Sequence, residues 1–196
     1  RLAALGHSVV YNDVSAEMYQ KAQNLAQQQS LDTQISWHHS PYQDLDNLGQ
    51  FDLVLCHAVI EWLAHPSSLV AHIRRFVAEG GRLSLAFYNQ NGLVYRNLIR
   101  GNFRLLEADF KPDIGSLTPI HPLLPAQVAA WLEASELRPC WSSGIRVFHD
   151  YVTTVRGGHE DPQSVIEMEL KHSLIEPYKW LGRYIHFIAD TELSRP

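Results

Sequence analysis

Cysteine is scarce in this chain, with two residues, Cys56 and Cys140, among 196. Two thiols cannot staple a small secreted fold or make a metal site by themselves, so they read as structural thiols in a reduced compartment. Long apolar runs are missing as well. No stretch approaches the roughly eighteen consecutive apolar residues of a membrane-spanning helix. The N-terminus lacks the basic segment and apolar core of a secretory signal. Both absences point to a soluble, cytoplasmic protein without a membrane partner. Positive charge is also in short supply, and the net charge of −5 excludes a protein that grips nucleic acid through its overall field, though not one with a local basic patch. What remains, 45% hydrophobic and 19% charged, is the composition of one globular domain with a sizeable core rather than a disordered chain.

The stretch that organises the rest is Phe51 to Pro66, FDLVLCHAVIEWLAHP. A short continuous apolar run flanked by polar residues suits a central strand buried on both faces. In an open parallel sheet ligands sit beyond the carboxyl ends of the strands, which places His57 and the turn after it at a site. Before it, Arg1 to Leu5 reads as the end of a helix capped by Gly6, and Ser8 to Tyr11 as the next strand. The chain thus starts inside a βαβ unit, and we expect a first strand and its glycine loop to precede it.

Asp13 then falls at a strand tip, with Ser15 as N-cap of a helix to about Gln28. A carboxylate there can accept from both hydroxyls of a nucleotide-like ribose; the competing reading is an ordinary helix-start turn. Met18, one turn in, either packs on an adenine or belongs to the core. A third strand, Ile35 to His39, brings Tyr42 and Gln43 beside the Asp13 tip in a sheet ordered 3-2-1-4-5, within reach of an adenine. His38 and His39 point to opposite faces of that strand and cannot share a metal. His57 and Glu61 have helical i,i+4 spacing but no evident third ligand, so no metal is expected.

Downstream, Pro66 opens a helix carrying Leu69, Val70, Ile73, Phe76 and Val77, and Gly80 and Gly81 turn the chain into a strand from Arg82 to Tyr88 with Asn89 at its tip. An insertion occupies approximately 91–124. In it Arg96, Arg100 and Arg104 recur every four residues with Lys111 nearby, either a phosphate-binding face or a solvated one, and Gly101 and Asn102 are positioned to interrupt the helix. A helix follows from Pro125 to Glu136. Asp161 and Pro162 start another, between two β-rich segments, GIRVFHDYV and RYIHFIAD, the last of which need not be parallel.

These segments carry a resemblance. NDVSAEM at 12–18, CHAVIEWLAHP at 56–66, LSLAFYNQNGL at 83–93, GNF at 101–103, GIRVFHDY at 144–151 and EPYKWLGRYIH at 176–186 make the chain similar to class I S-adenosylmethionine-dependent methyltransferases. More narrowly, it resembles the bacterial tRNA 5-carboxymethoxyuridine methyltransferases. The resemblance implies an α/β Rossmann-like fold over 1–196, a single methyltransferase domain lacking its N-terminal portion, with a mostly parallel sheet ending in an antiparallel strand. It implies S-adenosylmethionine as cofactor, Asp13 on its ribose, Tyr42 and Gln43 on the adenine side, and His57 lining the cofactor. Tyr42 stands where a small residue is more usual, and FKPDIGSL replaces a lysine-rich run that some members carry after GNF.

The implied reaction methylates the carboxylate of 5-carboxymethoxyuridine at the wobble position of tRNA, so the partner is tRNA through its anticodon region, with no protein partner predicted. A carboxylate with a reference pKa near ~4 is ionised at neutral pH, so no catalytic residue is required as general base. The task is positioning: an oxygen held about 3 to 3.5 Å from the methyl, with water removed. For the substrate carboxylate or a neighbouring phosphate we expect Arg146, whose guanidinium offers two parallel donors. Tyr88 and Asn89 would orient the uridine, and Trp62 or Tyr151 would stack on it. The competing readings are that Arg146 pairs with a structural acid, Asn89 caps the next helix and Trp62 is core. An NAD-dependent oxidoreductase would also place an acid at the Asp13 tip, and a non-catalytic tRNA-binding protein would share the fold.

Overall fold

The computed structural model describes residues 1–107, 119 and 121–191. Its contacts divide the chain into two compact units, Arg1–Gly49 and Gln50–Pro196.

In the first unit a 3-10 turn, Ala3–Leu5, ends at Gly6, whose φ of 88° is the left-handed conformation that glycine adopts without strain. Strand β1 (Val9–Asp13) follows, then helix α1 (Ala16–Gln28) and strand β2 (Ile35–His39). Ser15 is the N-cap of α1, its hydroxyl accepting from the Met18 amide at 3.3 Å. β1 and β2 pair in parallel with Asp13 opposite His39. Tyr11, Tyr19 and Trp37 pack ring against ring between α1 and the two strands, with centroids 5.3 to 6.4 Å apart.

The second unit is built on strands β3 (Phe51–His57), β4 (Val77–Tyr88), β5 (Leu137–Ile145) and β6 (Tyr184–Thr191). Their order is β3-β4-β6-β5. β3 and β4 are parallel, and β6 is antiparallel to both β4 and β5, so β6 alone runs backwards in this sheet. Helix α2 (Pro66–Arg74) is the crossover that connects this parallel pair. Beyond β4 come α3 (Gln90–Arg100), α4 (Phe103–Glu107), α5 (Pro125–Ala134) and α6 (Pro162–His172). Leu83, Leu85 and Phe87 of β4 and Ile185, Phe187 and Ala189 of β6 are buried, as are Leu69, Val70 and Ile73 of α2 and Val128 and Leu132 of α5. These side chains are the core.

The Gly80–Gly81 turn is present, folded into β4 as an excursion between the Phe51–Val77 and Leu53–Arg82 pairings. The Thr191 hydroxyl clasps it, accepting from the Gly80 amide at 2.8 Å and donating to Ala78 O at 3.1 Å. α3 stops at Gly101 in the left-handed region, so Arg104 belongs to α4 and does not continue the face of Arg96 and Arg100. Asp109, Lys111, Thr118 and Ile120 lie outside the described residues.

Two expectations fail. β3 is not buried on both faces: it is the sheet's edge, and Leu53 and Leu55 are 43% and 50% exposed while Cys56 on the opposite face is 8% exposed. Nor is GIRVFHDYV a strand. The extended segment is Leu137–Ile145, where Pro139 is tolerated because β5 is an edge strand with a register shift beside that residue. Past Ile145 the chain turns at Arg146, with φ 59°, into a 3-10 turn at His149–Tyr151. The Glu169 carboxylate of α6 accepts from the amides of Val147, Phe148 and His149 at 2.7, 3.1 and 2.8 Å, satisfying donors that a strand would have paired.

Gly182 occupies the bend before β6, where a Cβ would lie 2.7 Å from Ile145 N and 2.8 Å from both Gly144 Cα and Tyr184 O. All three are backbone atoms and cannot swing aside. Gly182→Ala is therefore expected to cost about 1–3 kcal/mol, read as a lower urea midpoint with an unchanged denaturant slope.

Candidate active site

In the first unit the candidate cofactor residues gather at the tips of β1 and β2. Asp13 Oδ1 accepts from the Ser15 amide at 2.8 Å and Oδ2 from the Tyr11 hydroxyl at 3.2 Å. The helix-start turn is thus real. It also fixes the carboxylate, and a carboxylate has about four acceptor sites, so two remain for ribose hydroxyls. Asn12 holds the neighbouring tip, its amide donating to Ser40 O at 2.9 Å and His38 O at 3.3 Å. Met18 is half exposed, and Tyr42 and Gln43 lie in the 3-10 turn Tyr42–Asp44 just past β2.

In the second unit His57 ends β3. Its Nε2 lies 2.8 Å from Ser84 Oγ, which is 2.7 Å from His186 Nε2, linking β3, β4 and β6. A hydroxyl has one proton to give, so with both rings neutral one Nε2 carries a hydrogen and the other is bare. Burial lowers the pKa of both rings, and at His186 a charge on His57 lowers it further. Glu61, in the turn that follows, has no solvent exposure, and neither carboxylate oxygen has a hydrogen-bond partner among the described residues. Burial pushes its carboxyl up to about 7; the nearby amides of Glu61 and Tyr88 offset part of that rise without reaching hydrogen-bond geometry. Burial and the Glu61 charge likewise raise the Cys56 thiol to about 12, which makes it inert.

The expected substrate residues converge beyond β4. Tyr88, Arg96, Asp150, Tyr151 and Arg183 line one narrow cleft. Asp150, its side chain 7% exposed, pairs with Arg146 through Oδ1 and with Arg183 through Oδ2 at 3.3 Å, while Arg100 donates to its backbone carbonyl at 3.1 Å. The Arg183 guanidinium sits 5.9 Å from the Tyr88 ring centre and 6.0 Å from that of Tyr184. Burial raises the Tyr88 hydroxyl pKa, and Arg183 and Arg96 hold part of that rise back. Tyr151, raised further by burial and by Asp150, donates to Leu181 O and rests edge-on against Tyr95 at 5.3 Å.

Some residues have structural partners instead. Asn89 is fully buried as the N-cap of α3, its amide donating to Trp180 O at 2.8 Å and Gly182 O at 2.7 Å while Oδ1 accepts from Asn91 at 3.1 Å. Arg146 does pair with an acid, yet its side chain is 51% exposed. Trp62 is 41% exposed and so is not core. Sequence reasoning missed Arg183, Asp150, Ser84 and His186. Asp150 alone left a signal, four residues after Arg146.

A sheet whose one reversed strand lies next to its edge, with an acid at the end of β1, is the arrangement of class I S-adenosylmethionine-dependent methyltransferases. Residues 1–85 match the family model described as a methyltransferase domain. The chain is 36% identical over its full length to the tRNA 5-carboxymethoxyuridine methyltransferase of Escherichia coli K12, covering 76% of that protein. Magnesium protoporphyrin IX methyltransferase from Synechocystis PCC 6803, solved with bound SAH, shares the fold at a TM-score of 0.62 and 17% identity, over 97% of this chain and 67% of that one. The [4+2]-cyclase SpnF does so at 0.59 and 14%, over 96% and 67%. The chain belongs to the tRNA 5-carboxymethoxyuridine methyltransferase family, and its cofactor is S-adenosylmethionine.

The depressed imidazoles predict a pH dependence. The unfolded chain takes up protons near the ordinary value of 6.5, before folded His57 and His186 do. Their contribution to stability is therefore complete above that value and lost as pH falls through the lower folded values. Between about pH 7.5 and about pH 5 this loss opposes the gain from protonating buried Glu61, whose carboxyl is raised to about 7. As pH is lowered through that window, the urea midpoint of a His57→Asn/His186→Asn double variant should therefore rise more, or fall less, than that of the wild type; equal slopes would remove the two imidazoles as the cause.

Proposed function

We propose that this enzyme methylates the carboxylate of 5-carboxymethoxyuridine at the tRNA wobble position. The observation that carries the reading is the arginine grouping at Asp150: Arg146 and Arg183 pair with its carboxylate, Arg100 donates to its backbone carbonyl, and Arg96 lines the same cleft. That excess of positive charge stands beyond the tip of β4 and suits an anionic acceptor attached to a polyanion. The name of the Escherichia coli relative, which this chain matches over its whole length, supports the same substrate.

S-adenosylmethionine, when bound, supplies a methyl group activated on a sulfonium. Within the first unit Asp13 would accept from its ribose, and Met18, Tyr42 and Gln43 would offer the adenine a surface. The acceptor arrives already ionised, so no residue removes a proton. Arg146 and Arg183 hold the carboxylate and an adjacent phosphate while Asp150 fixes both guanidiniums in orientation. Tyr88 and Tyr151 flank the uridine. Asn89 acts by holding the bend that carries Arg183 rather than by touching substrate. One carboxylate oxygen forms the new bond to the methyl carbon, the bond from carbon to sulfur breaks, and the products are a methyl ester and S-adenosylhomocysteine.

Full-length protein with labelled S-adenosylmethionine and tRNA bearing 5-carboxymethoxyuridine should place one methyl on that nucleoside, removable by mild alkali. An alkali-stable methyl, or none where cofactor binding is intact, would refute the ester assignment. Arg146→Ala removes a charge-assisted contact of about 1.5–3 kcal/mol, so kcat/KM for tRNA should fall about tenfold or more while cofactor affinity holds. Unchanged kinetics would remove Arg146 from the site.

A further inference from the structure

The second unit contains a cavity of about 440 Å³ between the Val147–Phe148 segment, the Gly158–His159 turn and α6. That volume is within the range of small-molecule pockets, about 300–1,000 Å³. Phe148, His159, Met168, His172 and Tyr178 line it, so four of these five side chains are flat rings and the fifth is a polarisable thioether. The rings are not stacked face to face on one another: Phe148 and His159 are tilted with centroids 5.7 Å apart, and His172 and Tyr178 meet edge-on at 5.4 Å. Tyr178 is 48% exposed, an aromatic ring left facing solvent at the rim.

One polar group in the lining has a defined sense. His172 Nδ1 lies 2.8 Å from the Met168 carbonyl, which can only accept, so Nδ1 bears the proton. In the neutral ring Nε2 is then an acceptor. An apolar, ring-lined cavity with an imidazole acceptor suits a planar heterocycle that carries an N–H donor.

Its position adds the second half of the argument. Val147 and Phe148 face this cavity, while Asp150 and Tyr151 of the same segment face the arginine cleft. Arg146 begins the segment, with its guanidinium half exposed. A strand of nucleotides whose phosphate rests at Arg146 can therefore leave one base on each side of this ridge. Bases in single-stranded loops are splayed out and stacked on aromatic side chains in this way.

We infer that the cavity receives the unstacked base of a nucleotide flanking the modified uridine, which makes the enzyme a reader of two neighbouring bases. The inference rests on the RNA acceptor proposed above. The occupant is a base of the substrate itself, delivered by the same chain that brings the uridine to the arginines, and not a free ligand.

The test uses full-length enzyme and an anticodon stem-loop carrying 5-carboxymethoxyuridine, with 2-aminopurine placed in turn at each flanking position. Saturable quenching at one position is expected, restored towards the free-RNA level in Tyr178→Ala and retained in Tyr178→Phe. An abasic site at that position should raise KM about tenfold in the wild-type enzyme, the scale of one base–aromatic stack, and add little in Tyr178→Ala. Equal abasic penalties in the two enzymes, or quenching at neither position, would overturn the inference. The fluorescence needs no turnover. RNA that binds and quenches but gains no methyl would sink the proposed reaction and leave the cavity's role intact, whereas normal methylation with no response at either neighbour would do the reverse.

Discussion

The amide of Asn89 ties the tip of β4 to the Trp180–Gly182 bend through two hydrogen bonds in a fully dehydrated setting. Unmade, each would leave a buried carbonyl without a donor, at about 1–3 kcal/mol. Because the bend is held there, β6 enters the sheet in one register, with Tyr184 opposite Tyr88 and Arg183 just before it. Arg183 then reaches Asp150, and Asp150 sets Arg146. Every charged group in the candidate substrate cleft except Arg96 and Arg100 is placed by that chain of contacts.

The same device explains why the reversed strand matters for chemistry. A parallel strand in the place of β6 would put its carboxyl end, not its amino end, beside the tip of β4. Reversal brings the start of β6 to the tip, so a segment from late in the chain supplies both a cation and an aromatic edge to the site. The candidate substrate cleft is thus assembled from the end of β4, α3, the Asp150–Tyr151 turn and Arg183 just before β6.

Features set by neighbours in sequence were legible before the structure. The Ser15 and Asp161 caps, the Gly80–Gly81 turn and the break at Gly101 all depend on local backbone preferences or on patterning within a few residues, whereas the reversal of the last strand followed from the family resemblance. β5 was not, because Pro139 is a strand breaker everywhere except at an edge, and edge position is settled only by what pairs with what. The hidden exposure of β3 has the same cause. Among site residues, Asp13 and Tyr88 are where strand-tip logic puts them. The arginine cluster was not legible as a whole because Arg100 and Arg183 reach Asp150 from distant segments, one at its backbone carbonyl and one at its carboxylate, and no spacing encodes that.

Asp150 also tempers how the enzyme responds to salt. A docking phosphate meets guanidiniums that already share a fixed counter-charge inside the protein, so fewer condensed cations leave the RNA per arginine than at a bare basic surface. The logarithmic dependence of RNA affinity on ionic strength should accordingly be shallower than about 0.7 per arginine in the cleft.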